Sequence, residues 1–323
     1  MYPDPGPFDA QKYPAEFLRF LQNCQLAISV QKSPKAIFDA TTMVLDDLIR
    51  QHYFYAELRF APSYHIQHGM TRRKMRQKMK KIVEAVLRAM NEKRPQIRTK
   101  LILAIPREIA YPKNFIHTPA GKYLGPSAED IADVALYFQN EGVAALDLAC
   151  SEHDGPEAYL NAYQKTFGEK LKRTVHAGEC GDNMEENIRF ALYEMYADGL
   201  GHALPLPNMA PEMKFVLDNN IRIERNPISN WCMTVGDGKM DKIWELFHNK
   251  IWVTVNSDDP GVFGPQCSLA NNLFVVANQL VLAGQFKTPI EAVQHMTRNV
   301  ILSAYLSNEE KLEMMEWYDK KVG

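Results

Sequence analysis

Apolar residues along the chain follow two alternating rhythms. Short runs rich in Val, Ile, Leu and Ala recur at Tyr53–Pro62, Lys100–Pro106, Val143–Cys150, Arg173–His176, Leu200–His202, Ile221–Arg225 and Trp252–Asn256. Near-continuous apolar strands of this kind suit a parallel sheet covered on both faces. Between them the apolar positions return every three or four residues, the spacing of a helix with one buried face. Helices are therefore predicted at 14–30, after Ser33-Pro34, from Thr71 onward, and over Ala128–Gln139, Glu185–Tyr196 and Lys239–His248. Ser33-Pro34 reads as an N-cap followed by proline at the first helical position. From Ser268 the pattern is helical throughout, with Pro289 and Asn308-Glu309 marking helix starts. Strand–helix alternation sustained over this length, with polar residues at the strand ends, predicts the α/β class and a (β/α)₈ TIM-type barrel. Residues 1–323 are expected to form a single barrel domain, with 1–12 an extended, proline-punctuated start and 266–323 a helical C-terminal part. Seven strands are legible, one fewer than the barrel requires.

Charge changes this picture little. The helix from Thr71 carries Arg72, Arg73, Lys74, Arg76, Lys78, Lys80 and Lys81 on one side and Met75, Met79, Ile82, Val83, Val86, Leu87 and Met90 on the other. A solvated outer face of a barrel helix accounts for the basic side, with RNA binding as the alternative. The formal net charge of −2 gives no case for nucleic acid or an anionic membrane as partner. Five cysteines (Cys24, Cys150, Cys180, Cys232, Cys267) are odd in number and scattered, which suggests reduced thiols and a cytoplasmic setting. No stretch approaches the roughly 20 apolar residues of a membrane span, and no signal-peptide pattern opens the chain.

The candidate chemistry sits at three strand ends. Thr174-Val175-His176-Ala177-Gly178-Glu179 ends a β-branched run in an imidazole, a tight turn and a carboxylate. Gly199-Leu200-Gly201-His202-Ala203 is a small-residue segment carrying one histidine. The run ending at Val255 passes into Asn256-Ser257-Asp258-Asp259-Pro260-Gly261. Adjacent carboxylates closing a buried strand repel each other and are usually retained for a cation, a substrate or a helix start. Thr174–Glu179 alone is equally well explained by a strand ending in a buried, hydrogen-bonded histidine beside a surface glutamate, and each of the other segments alone is a weak signal. The cysteine-ligated nucleic-acid deaminases need His-x-Glu with Pro-Cys-x-x-Cys, and neither half occurs here.

TVHAGE (174–179), GLGHA (199–203) and VNSDDPG (255–261), in this order, resemble the signature strands of the adenosine deaminase family. YAELRFAPS (55–63), ALDLACSE (145–152) and NPISN (226–230) extend the resemblance over nearly the whole chain. It implies a metal-dependent purine deaminase of the amidohydrolase superfamily that converts adenosine to inosine and ammonia. The resemblance makes His176 and Asp258 ligands of one zinc ion, Glu179 the acid that protonates the purine ring, and His202 the base that takes a proton from water. Asp259 matches the residue that hydrogen-bonds the imidazole side of the purine, and Cys150 stands where a glycine offers its backbone to the base. Phe17, Leu18, Phe20 and Leu21 would be a hydrophobic wall beside the substrate, or plain core packing. The partner implied is a small purine nucleoside, with no nucleic acid or membrane, and the oligomeric state is left open.

The departures are specific. The family's first strand carries a His-x-His pair, and no His-x-His occurs in this sequence. The expectation is a barrel lacking its first βα unit, with metal held weakly or not at all by the two remaining family ligands, unless His65 and His68 stand in. Ala203 replaces a glycine, Gly199 an arginine and Asn226 a cysteine of the family pattern. The alternatives are thus a catalytically impaired homologue that binds a purine or a protein, or a deaminase of adenine or an N6-substituted adenosine nucleotide.

Overall fold

The computed structural model describes residues 23–109, 124–152, 155–233 and 242–322. The expected extended start and Phe17, Leu18, Phe20 and Leu21 lie outside them. The described residues form two compact units that divide between Arg173 and Thr174.

In the first unit β1 (Tyr55–Phe60), β2 (Arg98–Pro106) and β3 (Val143–Ala149) pair side by side in parallel, and Lys172 and Arg173 at the start of β4 (Lys172–Ala177) continue the ladder. Its helices start where local chemistry satisfies their free N–H groups. Ser33 Oγ accepts from the Ala36 amide at 3.1 Å ahead of the Pro34–Arg50 helix, with proline in the first turn. Ser127 and Asp130 form a reciprocal capping box for Ala128–Tyr137. In the Arg72–Lys93 helix the Met75, Met79, Ile82, Val83, Val86, Met90 stripe is buried, as its spacing predicts. The basic face outside it is partly tied down: Arg72 Nε lies 2.7 Å from Asp130 and Arg76 Nη1 2.9 Å from Asp133. Half-exposed pairs of this kind contribute about 0–1 kcal/mol each, so they orient the two helices more than they stabilise them.

In the second unit the rest of β4 pairs with β5 (Gly199–His202), β5 with β6 (Arg222–Arg225) and β6 with β7 (Val253–Val255), all parallel. Seven strands thus follow one another in chain order, each succeeded by at least one helix, which is the repeat of a TIM-type barrel. The C-terminal part is helical from Leu269, with starts at Pro289 and Asn308. Among the described residues no helix is long and apolar enough to cross a membrane.

Below the strand ends the second unit carries a buried polar layer. Thr174 Oγ1 donates to Glu224 Oε1 at 3.0 Å, and Arg222 donates to the same oxygen through Nε at 3.0 Å and Nη2 at 2.7 Å. Arg222 Nη1 reaches the Ser303 carbonyl at 3.2 Å, and the guanidinium lies 3.6 Å from the centre of the Tyr305 ring. Charge this deep persists only when paired and hydrogen-bonded on all sides. Gly199 lies against this cluster: a Cβ there would come within 2.3 Å of the Tyr305 hydroxyl. Arg222, the partner of Gly199 in the neighbouring strand, and Glu224 also come within 3.3 Å of that Cβ position, so the layer leaves no room for a side chain at 199.

Candidate active site

Four strand ends of the second unit supply the site. After β4 the chain turns at Gly178, whose φ is +88°, and Glu179 follows. A side chain at 178 would be strained by that φ, and its Cβ would meet Ile188 Cδ1 at 2.8 Å and Pro205 Cδ at 2.9 Å. β5 ends on His202, which is left-handed at φ +61°, as is Ala203 at +46°. Two successive non-glycine residues in that region are uncommon, and here they throw the His202 ring into the interior, 1% exposed. Beyond β7, Asn256 Nδ2 donates to the Thr254 carbonyl at 3.1 Å and Asp258 takes φ +54°. After β6 come Asn226 and the Pro227–Met233 helix.

These backbones bring Glu179, His202 and Asp258 to one point: one ligand atom from each lies within 4.8 Å of the others. His202 Nε2 is 3.6 Å from Glu179 Oε1. Its Nδ1 is 2.6 Å from Asn230 Oδ1, which can only accept, so Nδ1 carries the hydrogen. Nε2 then presents a lone pair, 3.3 Å from Asn226 Nδ2. One imidazole nitrogen and two carboxylates are a donor set that suits a divalent cation such as zinc. His176 pairs in register with Gly201, and the missing Cβ there lets the imidazole lie close; a Cβ would be 3.2 Å from its Cγ. The His176 ring is tilted by 48° against the His202 ring, centroids 5.2 Å apart. His176 is therefore beside the convergent three but outside them. Asp259 is exposed and starts the short Pro260–Phe263 helix, its carbonyl accepting from Val262 at 2.9 Å.

The first unit holds the remaining predicted residues. Cys150 follows β3 with φ +74°, in the left-handed region that favours glycine, and its thiol is 3.4 Å from the Tyr64 hydroxyl. His65 and His68 are engaged locally: His65 Nδ1 lies 2.9 Å from the Gln31 carbonyl and His68 Nε2 2.9 Å from the Ser63 carbonyl. Burial pushes the His65 pKa down to about 4, with the nearby Lys32 charge adding to it. Neither histidine belongs to a metal-capable cluster among the described residues.

Three residues that matter to the site were not singled out from the sequence for these contacts. Asn226 and Asn230 flank His202, and their four-residue spacing in NPISN is the only sequence trace of that. Cys267 donates its thiol proton to the Ser257 carbonyl at 3.1 Å and so braces the Asp258 turn. Burial, with the Asp258 charge second, pushes its pKa up to about 11, so the donor proton stays on.

The sequence model of the adenosine deaminase family matches residues 6–321. An adenosine deaminase of Clostridium acetobutylicum is 28% identical over 304 residues, covering 93% of this chain and 81% of that one. An adenosine deaminase of Mycobacterium marinum is 25% identical over 335 residues, covering 96% and 82%. Among solved structures, an adenine deaminase of Arthrobacter aurescens superposes with a TM-score of 0.71 at 22% identity, covering 95% of this chain and 86% of that one. A zinc-bound amidohydrolase from Burkhoderia ambifaria gives 0.71 at 17%, covering 90% and 74%, so the fold is shared.

Proposed function

The chain belongs to the adenosine deaminase family, and from that premise we propose that it hydrolytically deaminates a purine nucleoside, adenosine to inosine and ammonia. In that reaction water adds to the purine C6, the C6–N bond breaks, and the amine leaves as ammonia. The observation that carries the proposal is the convergence of Glu179, His202 and Asp258 within 4.8 Å, an acid, a base and an anionic ligand from three strand ends.

A zinc ion held by Asp258 with neighbouring donors would supply the Lewis acidity that makes water a nucleophile near neutral pH. His202, its Nδ1–H committed to Asn230, offers the Nε2 lone pair to the proton that the attacking water gives up. Glu179, whose Oε1 lies 3.6 Å from that nitrogen, delivers a proton to the purine ring nitrogen as charge builds there. Asp259 takes the substrate-binding role that the family resemblance gives it. The partner is accordingly a small purine, in a protein of the cytoplasm.

A second reading, an impaired homologue that binds purine without turnover, is favoured by one observation: no His-x-His occurs in the 323 residues. A spectrophotometric adenosine assay on the zinc-loaded chain separates the two. Under the first reading Glu179→Gln lowers kcat by about 10²–10⁴-fold while KM stays within a few-fold, since the acid acts chiefly in the transition state. Purine binding without turnover in the zinc-loaded wild type would establish the second, and equal turnover in wild type and Glu179→Gln would remove Glu179 from the mechanism.

A further inference from the structure

One buried carboxamide ties together two segments that flank the site. Asn272 lies in the first turn of the Leu269–Leu282 helix and is 0% exposed. Its Oδ1 accepts from the Ile228 N–H at 3.0 Å. Its Nδ2 donates to the Cys267 carbonyl at 3.2 Å and to the Ser268 carbonyl at 3.0 Å. Backbone groups have fixed polarity, so the carboxamide fits in one orientation. Turned over, it would set oxygen against two carbonyls and N–H against N–H. Ile228 follows Pro227 and owns the first N–H of the Pro227–Met233 helix, a group with no partner inside its own helix. That helix carries Asn230, and Asn226 precedes it, both against His202. On the other side, Cys267 donates its thiol proton to the Ser257 carbonyl at 3.1 Å, one residue before Asp258.

We propose that Asn272 and Cys267 form a positioning link for the metal site, holding the Asp258 turn at a set distance from His202. This role rests on the reading that Asp258 and His202 serve one metal ion. The strand ladder does not do this, because it ends where the Asn256 N–H meets the Arg225 carbonyl at 2.8 Å. The mount of the link is rigid: the Leu269–Leu282 helix is capped by Ser268 and buries Val276, Ala277 and Leu280 besides Asn272. Asp258 is left-handed at φ +54°, a conformation that persists in a non-glycine residue only where the surroundings over-determine it. The bond to the Ser257 carbonyl is one such constraint, and Asn272 fixes where that bond starts. With either residue truncated, Asp258 relaxes toward commoner φ values. Its carboxylate then leaves the point that it shares with His202.

The test uses the full chain, stripped of metal and titrated with cobalt(II), which takes zinc-type donor sets and absorbs in the visible. Asn272→Ala and Cys267→Ala should each weaken cobalt binding about 10–100-fold, the usual cost of losing a group that orients a ligand, and shift the visible band. Because the two contacts act in series, the double variant should bind within about threefold of the weaker single; independent effects would multiply. Cys267→Ser keeps a donor and should stay within about threefold of wild type. Urea unfolding of the metal-free proteins runs in parallel. A merely structural pair would lower the unfolding midpoint and leave cobalt affinity and spectrum unchanged, which overturns the proposal. Losses that multiply, or a serine variant as weak as the alanine one, overturn it too. Near-UV circular dichroism checks folding, and if Asn272→Ala is unfolded the two Cys267 variants decide. A wild type that binds cobalt but turns over no adenosine refutes the deaminase reading and leaves the link standing. A wild type that binds no cobalt refutes the metal site and the link with it.

Discussion

Asp258 belongs to both ligand sets that the site allows. The family resemblance pairs it with His176, whereas the side-chain geometry groups it with Glu179 and His202. Losing groups that merely orient a metal ligand costs about 10–100-fold in affinity, so losing a ligand itself should cost at least about 100-fold. Asp258→Ala is therefore expected to weaken zinc binding by that factor in equilibrium dialysis. His176→Ala and Glu179→Gln then separate the sets: the larger loss identifies the ligand, and equal retention by both would mean that neither set is right. The residue types at 176, 179, 202 and 258 were legible because they end apolar runs in a recognisable order. Which of them meet was not, since that depends on left-handed φ values at His202 and Asp258 that their side chains do not announce. Asn226 was visible only as a departure, and its contact with Nε2 needed the fold.

At the scale of the element, β4 to β6 show how one strand's loss becomes another's gain. Thr174, Gly199, Arg222 and Glu224 lie in adjoining strands, and the empty position at 199 is what the Tyr305 hydroxyl, Arg222 and Glu224 occupy. Restoring the family's arginine by Gly199→Arg would place a second guanidinium in filled space beside Arg222. We expect a loss of about 3 kcal/mol or more, from overpacking and an unpaired buried charge. Urea unfolding measures it, and a midpoint equal to wild type would show that the layer can repack. The strands themselves were readable from apolar runs and the helix starts from Ser33-Pro34, Pro289 and Asn308, because caps and periodicity are local. The polar layer was not, because strand-to-strand register sets it.

At the scale of the whole molecule, pH dependence reports a buried group far along the chain from the catalytic segments. His65 is 5% exposed and its pKa is held at about 4, against an ordinary value of 6.5. Between those values the unfolded chain binds a proton that the folded chain refuses, so stability rises with pH across the window and is lost as pH falls through it. The full shift corresponds to at most about 3 kcal/mol, at 1.36 kcal/mol per unit. Thermal or urea unfolding of wild type and His65→Asn from pH 7 to 4 should show the wild type losing more stability than the variant. Parallel curves would mean that His65 titrates normally. The sequence by itself determined the α/β class, the seven strands and their order, the family and the residues worth testing. Those follow from apolar period, turn chemistry and motif order, which are properties of neighbours along the chain. Only the tertiary structure decided that Glu179, His202 and Asp258 converge, that His176 stands beside them, and that two asparagines hold the His202 ring. Such contacts join residues tens of positions apart, and their geometry is fixed by strand register and backbone turns that the local pattern does not contain.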